Sequence, residues 1–399
     1  MFANKNYKRD VEYVFELSRF VFRLLGIWPY ARTNSRLSET LETAVLIVVS
    51  YVILTCELVP AILYVVIVQK KTRARLKVIA TTLFTIITMF KYSQLILNRN
   101  RMKNYLAQVE DDWRNIADKR DHDIMINEAR IGRRLVIICA IFMYSSGVSF
   151  RTIIPLSYGK IVTEQNTTIR LLSCPGHFIL FDVQLSPAYE IVFVMQLFSG
   201  FIKCSITTAI YGFTSLFVMH ICAQMEMLII LMNNLVNKKE LKNVNEKLAA
   251  VVNYQIKIRN FLQMIQNSIQ YASLLEILGC TIIVCLLGYF VIMEWEDNNA
   301  VALCSYLVGL TSISFNIFLF CFIGEQLSKK AEKVALTACT LEWYRLPDIK
   351  ARSLILIMII SNSSIKLKGG KFIDLSFKTF GNVVKTAVTY LNLLRAIVD

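Results

Sequence analysis

Hydrophobic residues in this chain come in long blocks, without the strict alternation of strands or the half-apolar faces of water-soluble helices. Crossing a bilayer core of roughly 30 Å takes about 20 apolar helical residues. Seven runs approach or exceed that length, at residues 41–68, 76–97, 132–155, 188–219, 268–293, 300–323 and 373–397. A further run, Ser353 to Ile360, is too short to span and reads as a buried helix in a layer outside the membrane. The gaps at 99–130 and 224–266 lack Pro and Gly, and the second carries Leu228, Leu231, Leu235, Leu248, Val252 and Ile256 at helical spacing. Helices are therefore expected to continue beyond the bilayer. Tyr7 to Leu25 sets Val11, Val14, Phe15, Phe22 and Leu25 against Lys8, Arg9, Glu12, Glu16 and Arg19, a pattern that predicts an amphipathic helix lying at the inner membrane interface.

The pattern predicts an all-α membrane protein of seven transmembrane helices. Its divisions are an amphipathic segment at 1–40, a six-helix bundle with helical extensions at 41–323, an anchor segment at 324–372 and a seventh helix at 373–399. Charge assigns the orientation. With the amino terminus in the cytosol, the inner segments hold 31 Lys and Arg and the outer ones 7, which is the asymmetry expected of cytosolic loops. The carboxyl terminus is then extracellular. The first hairpin runs against the rule, with Lys70, Lys71, Arg73 and Arg75 outside. The first forty residues are basic and lack a compact apolar core followed by small residues, so they do not read as a cleavable signal. The sequon at Asn166 falls in the longest predicted outer loop, where glycosylation is expected, and the one at Asn362 falls inside, where it is not.

Composition agrees: 55% of residues are hydrophobic and 18% charged, far from the balance of a soluble domain. The net charge of +15 sits in blocks between apolar runs, which suits a lipid bilayer and not a nucleic acid. Most of the ten cysteines lie within apolar runs, and only Cys174 lies in a long outer loop, so a disulfide scaffold is not expected. His122, His177 and His220 are scattered, giving neither metal-ligand spacing nor a nucleophile–base set. No enzyme, cofactor or metal is expected. Glu57, Lys91, Lys203, Glu276 and Lys385 lie within predicted spans, where a charge costs several kcal/mol unless paired or hydrated; Lys203, near the middle of the fourth, is read as pairing or snorkelling before it is read as functional.

The seventh run differs from the others. Thr379, Asn382, Thr386, Thr389, Leu393 and Ala396 recur at intervals of three and four and so form one stripe on a helix. Two readings fit: the stripe lines a water-filled pore, with Leu393 closing the polar track by excluding water, or it hydrogen-bonds to neighbouring helices of its own subunit.

The carboxyl end resembles the insect odorant receptor family. The matching residues are Trp343-Tyr344-Arg345-Leu346-Pro347, the run Leu354 to Ile360, Gly370-Lys371-Phe372, Leu375-Ser376, Thr379-Phe380, Thr389-Tyr390 and Leu393-Leu394-Arg395. Weaker agreement reaches back through Ser186-Pro187, Tyr189-Glu190, Gln196 and His220 to Gln224. The resemblance implies a subunit of an odorant-gated, non-selective cation channel, a heterotetramer with the family's shared co-receptor, in the plasma membrane of an olfactory neuron dendrite. It implies subunit contacts in a cytosolic anchor and a pore lined by the second half of the seventh helix, with the outer gate at Leu393 and Ala396. The co-receptor's long insertion in the second inner loop is absent here, so the resemblance is to a ligand-tuning subunit. Gustatory receptors share the fold and the Thr389-Tyr390 pair, but their pattern continues to a Gln where this chain has Arg395 or Ala396. A G-protein-coupled receptor would have its amino terminus outside, against the charge balance, and no Asn-Pro-x-x-Tyr occurs in the last run.

The partner implied at the ligand site is a small volatile molecule, and a lined apolar cavity suits it. The family's pocket lies in the outer half of the bundle between the second, third, fourth and sixth spans. Those halves offer Phe84, Ile87, Tyr144, Gly147, Phe150, Phe193, Met195, Phe198, Tyr306 and Leu310. Tyr144 and Tyr306 are the expected hydrogen-bond donors; for each aromatic taken singly, core packing is the competing reading.

Overall fold

The computed structural model describes residues 4, 6–28, 37–116, 118–162, 168–179, 181–236, 244–342, 344, 348–363 and 365–398. The architecture is all-α, as the apolar blocks predict. Helices α1 (Tyr7–Leu24), α2 (Leu37–Leu63), α3 (Thr72–Leu97), α4 (Arg99–Arg114) and α5 (Lys119–Val148) come first. A wide π turn, Ser149–Ile153, leads from α5 into the short α6 (Ile154–Tyr158). A two-stranded hairpin follows, β1 (Lys160–Val162) and β2 (Thr168–Arg170). The long helices α7 (Ala188–Asn233), α8 (Val244–Glu296) and α9 (Ala300–Thr340) come next, then α10 (Asp348–Asn362), the short strands β3 (Lys368–Gly369) and β4 (Ile373–Asp374), and α11 (Phe377–Val398).

Among the described residues, six helical segments are long and apolar enough to cross a membrane: Leu41–Val68, Thr72–Leu97, Lys119–Ser157, Ala188–Asn233, Val244–Glu296 and Ala300–Thr340. They coincide with the first six predicted spans. Helix α11 has 22 residues, about 33 Å of rise, which is enough for the seventh crossing. Its polar stripe and Lys378, Lys385 and Arg395 are what set it apart from the other six in hydropathy.

Helices of 46, 53 and 41 residues in α7, α8 and α9 rise about 60–80 Å, twice the hydrocarbon thickness or more. Half of each therefore lies outside it, as the Pro- and Gly-free gap at 224–266 predicts for α7 and α8. These halves gather with α4 and α10 at one end of the bundle, the anchor end; the β1–β2 hairpin marks the other, the loop end. Helix α7 is the central post, buried on every side from Lys203 to Met225, as its nearly uniform apolar character requires.

The apolar face of helix α1 packs on protein: Val14, Phe15, Val21, Phe22 and Leu25 are buried in the main core, where Phe15 meets Phe217 of α7, and the Tyr92 hydroxyl donates to the Leu25 carbonyl at 2.8 Å. An amphipathic face suits a protein groove as well as a lipid surface, and here the groove between α4, α5 and α7 takes it.

Candidate functional site: a cavity at the loop end and the helix beside it

The buried charges pair among themselves. Lys91 of α3 forms an ion pair with Glu276 of α8, to which the Tyr211 hydroxyl of α7 also donates at 2.9 Å. Lys203 of α7 donates to Glu57 Oε1 of α2 at 2.8 Å and to Thr85 Oγ1 of α3 at 3.0 Å. Pairing, the first of the readings open for Lys203, is what the fold supplies. A third member of that group lies inside the last part of its predicted span, 132–155, and was not singled out there. Arg151 sits in the π turn after α5, is 7% exposed, and donates to Glu57 Oε1 at 2.7 Å and to the Gln196 carbonyl at 2.6 Å. The wider turn directs a side chain inward that a regular helix register would have aimed elsewhere. A Cβ on Gly200 would lie 2.6 Å from Arg151 Cδ, so only glycine lets the arginine stem cross α7 at this point.

Above this group lies a cavity of about 120 Å³, against about 10 Å³ for each of three smaller ones. Its walls come from the loop-end halves of α3, α5, α7, α8 and α9. Phe84, Phe150, Ile283, Leu287, Phe290, Tyr306 and Ile313 form the apolar part, and Thr81, Ser146, Ser312, Lys77, Arg151 and Lys203 the polar part. The Tyr306 ring stacks on Phe290 with centroids 5.5 Å apart and meets Phe150 edge-on at 6.1 Å, forming an aromatic wall. Lys77 lies over that ring at 5.1 Å and 3.5 Å from Glu294. The segment before α7 packs over the loop end of the bundle. Gln196 clamps the backbone of Cys174 in both directions, at 3.2 and 2.7 Å, His177 donates its N–H to the Pro60 carbonyl, and Ser173 donates to the Arg151 carbonyl.

Of the ten expected ligand contacts, Phe84, Gly147, Phe150 and Tyr306 line this cavity. Ile87 and Leu310 sit in the packing around it. Tyr144 does not reach it: its hydroxyl is 2.7 Å from Ser205 Oγ, where it ties α5 to α7. Phe193 and Met195 pack against Leu172 and Val183 of the preceding segment, and Phe198 is 58% exposed on the outside of α7. The expectation omitted α8, which contributes Ile283, Leu287 and Phe290, and the basic pair Arg151 and Lys203. The isolated lysine in an apolar run was the sequence signal for that pair.

Helix α11 leans on the same wall. Val383 and Ala387 are buried and Phe380 packs into the main core, while Leu394 packs against the cluster that contains Ile283, Leu287, Phe290 and Tyr306. Leu391 closes on Gly288 of α8. Asn382, Thr389, Leu393 and Ala396 of the polar stripe are exposed, and Thr379 and Thr386 are half-buried. At 100° per residue the stripe centres roughly 130° from the buried face, so its outer members point out of the protomer. The exposed Lys385 lies nearly opposite the buried face. Asn166 lies outside the described residues.

The sequence profile described as 7tm Odorant receptor matches residues 72–388. The chain belongs to this family of odorant receptors. Curated relatives include Odorant receptor 82a of Drosophila melanogaster, 22% identical over 82% of this chain and 85% of the relative, and Odorant receptor 10 of Aedes albopictus, 19% identical over 54% of this chain. The chain spans 58% of the length of the Aedes odorant receptor, little more than half. Among solved structures, the insect olfactory receptor OR5 from Machilis hrabei in complex with eugenol superposes with a TM-score of 0.82 at 14% identity, covering 98% of this chain and 100% of that one. At that identity the likeness carries the fold alone. The chain is a multi-pass membrane protein and not an enzyme.

Proposed function

We propose that this odorant receptor is the ligand-tuning subunit of a ligand-gated, non-selective cation channel in the plasma membrane, working as a heterotetramer with the family's co-receptor. A small volatile molecule occupies the loop-end cavity, the amino terminus and the anchor layer are cytosolic, and Asn382, Thr386, Thr389, Leu393 and Ala396 face the pore. The observation that carries this reading is the shared wall: α8 lines the cavity with Ile283, Leu287 and Phe290, and Leu394 of α11 packs on that same cluster. A ligand that fits better when the wall has shifted therefore changes the seat of α11, and it shifts the gating equilibrium only by its difference in affinity between the two states. The exposed polar stripe supports the pore assignment: the Thr389 hydroxyl donates to the Lys385 carbonyl of its own helix at 2.9 Å, but the exposed Asn382 amide would face lipid at a cost that water in a pore removes.

The test is current recording from cells expressing the chain with the co-receptor. The expected outcome is ligand-evoked current absent from cells with the co-receptor alone, with Leu393→Ala changing leak or gating and Leu394→Ala shifting ligand potency while leaving ion selectivity unchanged. Currents indistinguishable from those of the co-receptor alone sink the reading.

A further inference from the structure

The basic group beneath the cavity is not electrically balanced. Arg151 and Lys203 both donate to a single carboxylate, Glu57, and to the same oxygen of it. All three side chains are nearly inaccessible to water, with 8%, 2% and 1% of their surface exposed. Two cations against one anion leave a net charge of +1, at a depth where an uncompensated charge costs several kcal/mol. Both cations line the cavity, and no Asp or Glu among the described residues does. Lys77, the third basic residue in the wall, has its own partner in Glu294.

Donors remain as well as charge. An ammonium has three N–H groups, and Lys203 spends one on Glu57 and one on Thr85. A guanidinium has five, and Arg151 uses two, on Glu57 and the Gln196 carbonyl. The opposite wall is apolar and aromatic. The volume of about 120 Å³ is of the order of the roughly 150 Å³ that holds one benzene ring in a protein interior.

We propose that the cavity takes a monoanionic carboxylate, with the carboxylate on Lys203 and Arg151 and a short alkyl chain or single aromatic ring against Phe150, Phe290 and Tyr306. This rests on reading the cavity as the ligand site. One negative charge balances the site, whereas a dianion such as phosphate overshoots it and a neutral ligand leaves it as it is. A short carboxylic acid is volatile when neutral and ionises on entering water near neutral pH, so it meets the protein as the anion.

The experiment measures ligand-induced thermal stabilisation of the purified full chain at neutral pH, and so does not depend on gating. The probes are hexanoate and benzoate, with hexan-1-ol, benzyl alcohol and the two methyl esters as matched neutral partners. Hydrogen bonds to charged groups correspond to about tenfold or more in affinity, so each acid is expected to act at a concentration about tenfold or more below its alcohol and ester. Lys203→Met leaves Glu57 and Arg151 as a balanced pair and is expected to erase that preference, while Lys203→Arg keeps it. Alcohols matching or beating the acids on the unmodified protein, no binding by either acid, or an acid preference that survives in Lys203→Met overturns the proposal. Current recordings on the same probes separate the two readings: acid binding without current leaves the anion site standing and removes the channel reading, and alcohol-evoked current without acid binding does the reverse.

Discussion

Lys91 and Glu276 each count against a membrane helix in hydropathy, yet together they latch α3 to α8 across the core. Removing one partner of such a pair strands the other charge, at a cost of about 3–5 kcal/mol, whereas replacing both by apolar residues is near neutral. Lys91→Met is therefore expected to lower the melting temperature of the purified protein strongly, and the double substitution Lys91→Met with Glu276→Met to recover most of the loss. A double variant whose loss equals the sum of the losses of Lys91→Met and Glu276→Met would show that the pair contributes no coupling. Asp112, at the anchor end, joins three elements: it accepts from His220 of α7 at 3.0 Å and from Lys257 of α8. Burial alone would raise its carboxyl pKa, but the bonds and charges of His220 and Lys257 outweigh burial and hold it below the ordinary value. A lowered folded pKa contributes stability that is complete above the ordinary carboxylate range and is lost as pH falls through the folded value. Acidification through that range is expected to depress the melting temperature of the natural protein more than that of Asp112→Asn, as parallel melts across pH would show.

At the scale of elements, α11 is placed by its entry. The Gly370 N–H donates to the Gln270 carbonyl of α8 at 2.7 Å, the Leu375 N–H donates to the Leu367 carbonyl at 2.8 Å, and Leu375 is buried against α9. The approach is so close that a Cβ on Gly324 of α9 would collide with the Leu375 carbonyl. Gly324→Ala is thus expected to unseat the start of α11 and to abolish or left-shift ligand-evoked current, while Ser328→Ala, one turn on, leaves it close to unchanged; dose–response recordings compare the two. Several residues that carried the family resemblance acquire a physical reason here, since Gly370, Leu375 and Thr379, whose hydroxyl donates to the Asp374 carbonyl at 2.5 Å, all hold this entry. Helix α1 teaches the complementary point. Its amphipathic pattern is compatible with lipid and with protein alike, and only the presence of the groove formed by α4, α5 and α7 decides between them.

For the whole molecule, the orientation proposed from charge predicts that a glycosyltransferase reaches Asn166 and not Asn362. Expression in microsomes followed by deglycosylation is expected to shift the natural chain and Asn362→Gln but not Asn166→Gln; modification at Asn362 would reverse the orientation. The class of the molecule and six of its helices were legible because spanning hydrocarbon requires about 20 apolar residues in a row, a local property that survives without any tertiary contact. The extensions of α7 and α8 were legible for a related reason, the absence of Pro and Gly in the gap 224–266 between their spans, whereas that of α9 was expected only from the family resemblance. The seventh helix was legible as an apolar run of spanning length, and the period of its polar residues marked one face of it as different. The cavity was legible only in part. Which of two faces a side chain such as Tyr144 or Phe198 presents depends on how five helices rotate about their axes, and a periodic apolar sequence allows several rotations. The inward turn of Arg151 depends on a single π turn, and its meeting with Lys203 over Glu57 joins residues 94 and 146 positions from that carboxylate. Apolar length is thus settled residue by residue along the chain, whereas the charge left over at the cavity is a sum over helices that only packing brings together.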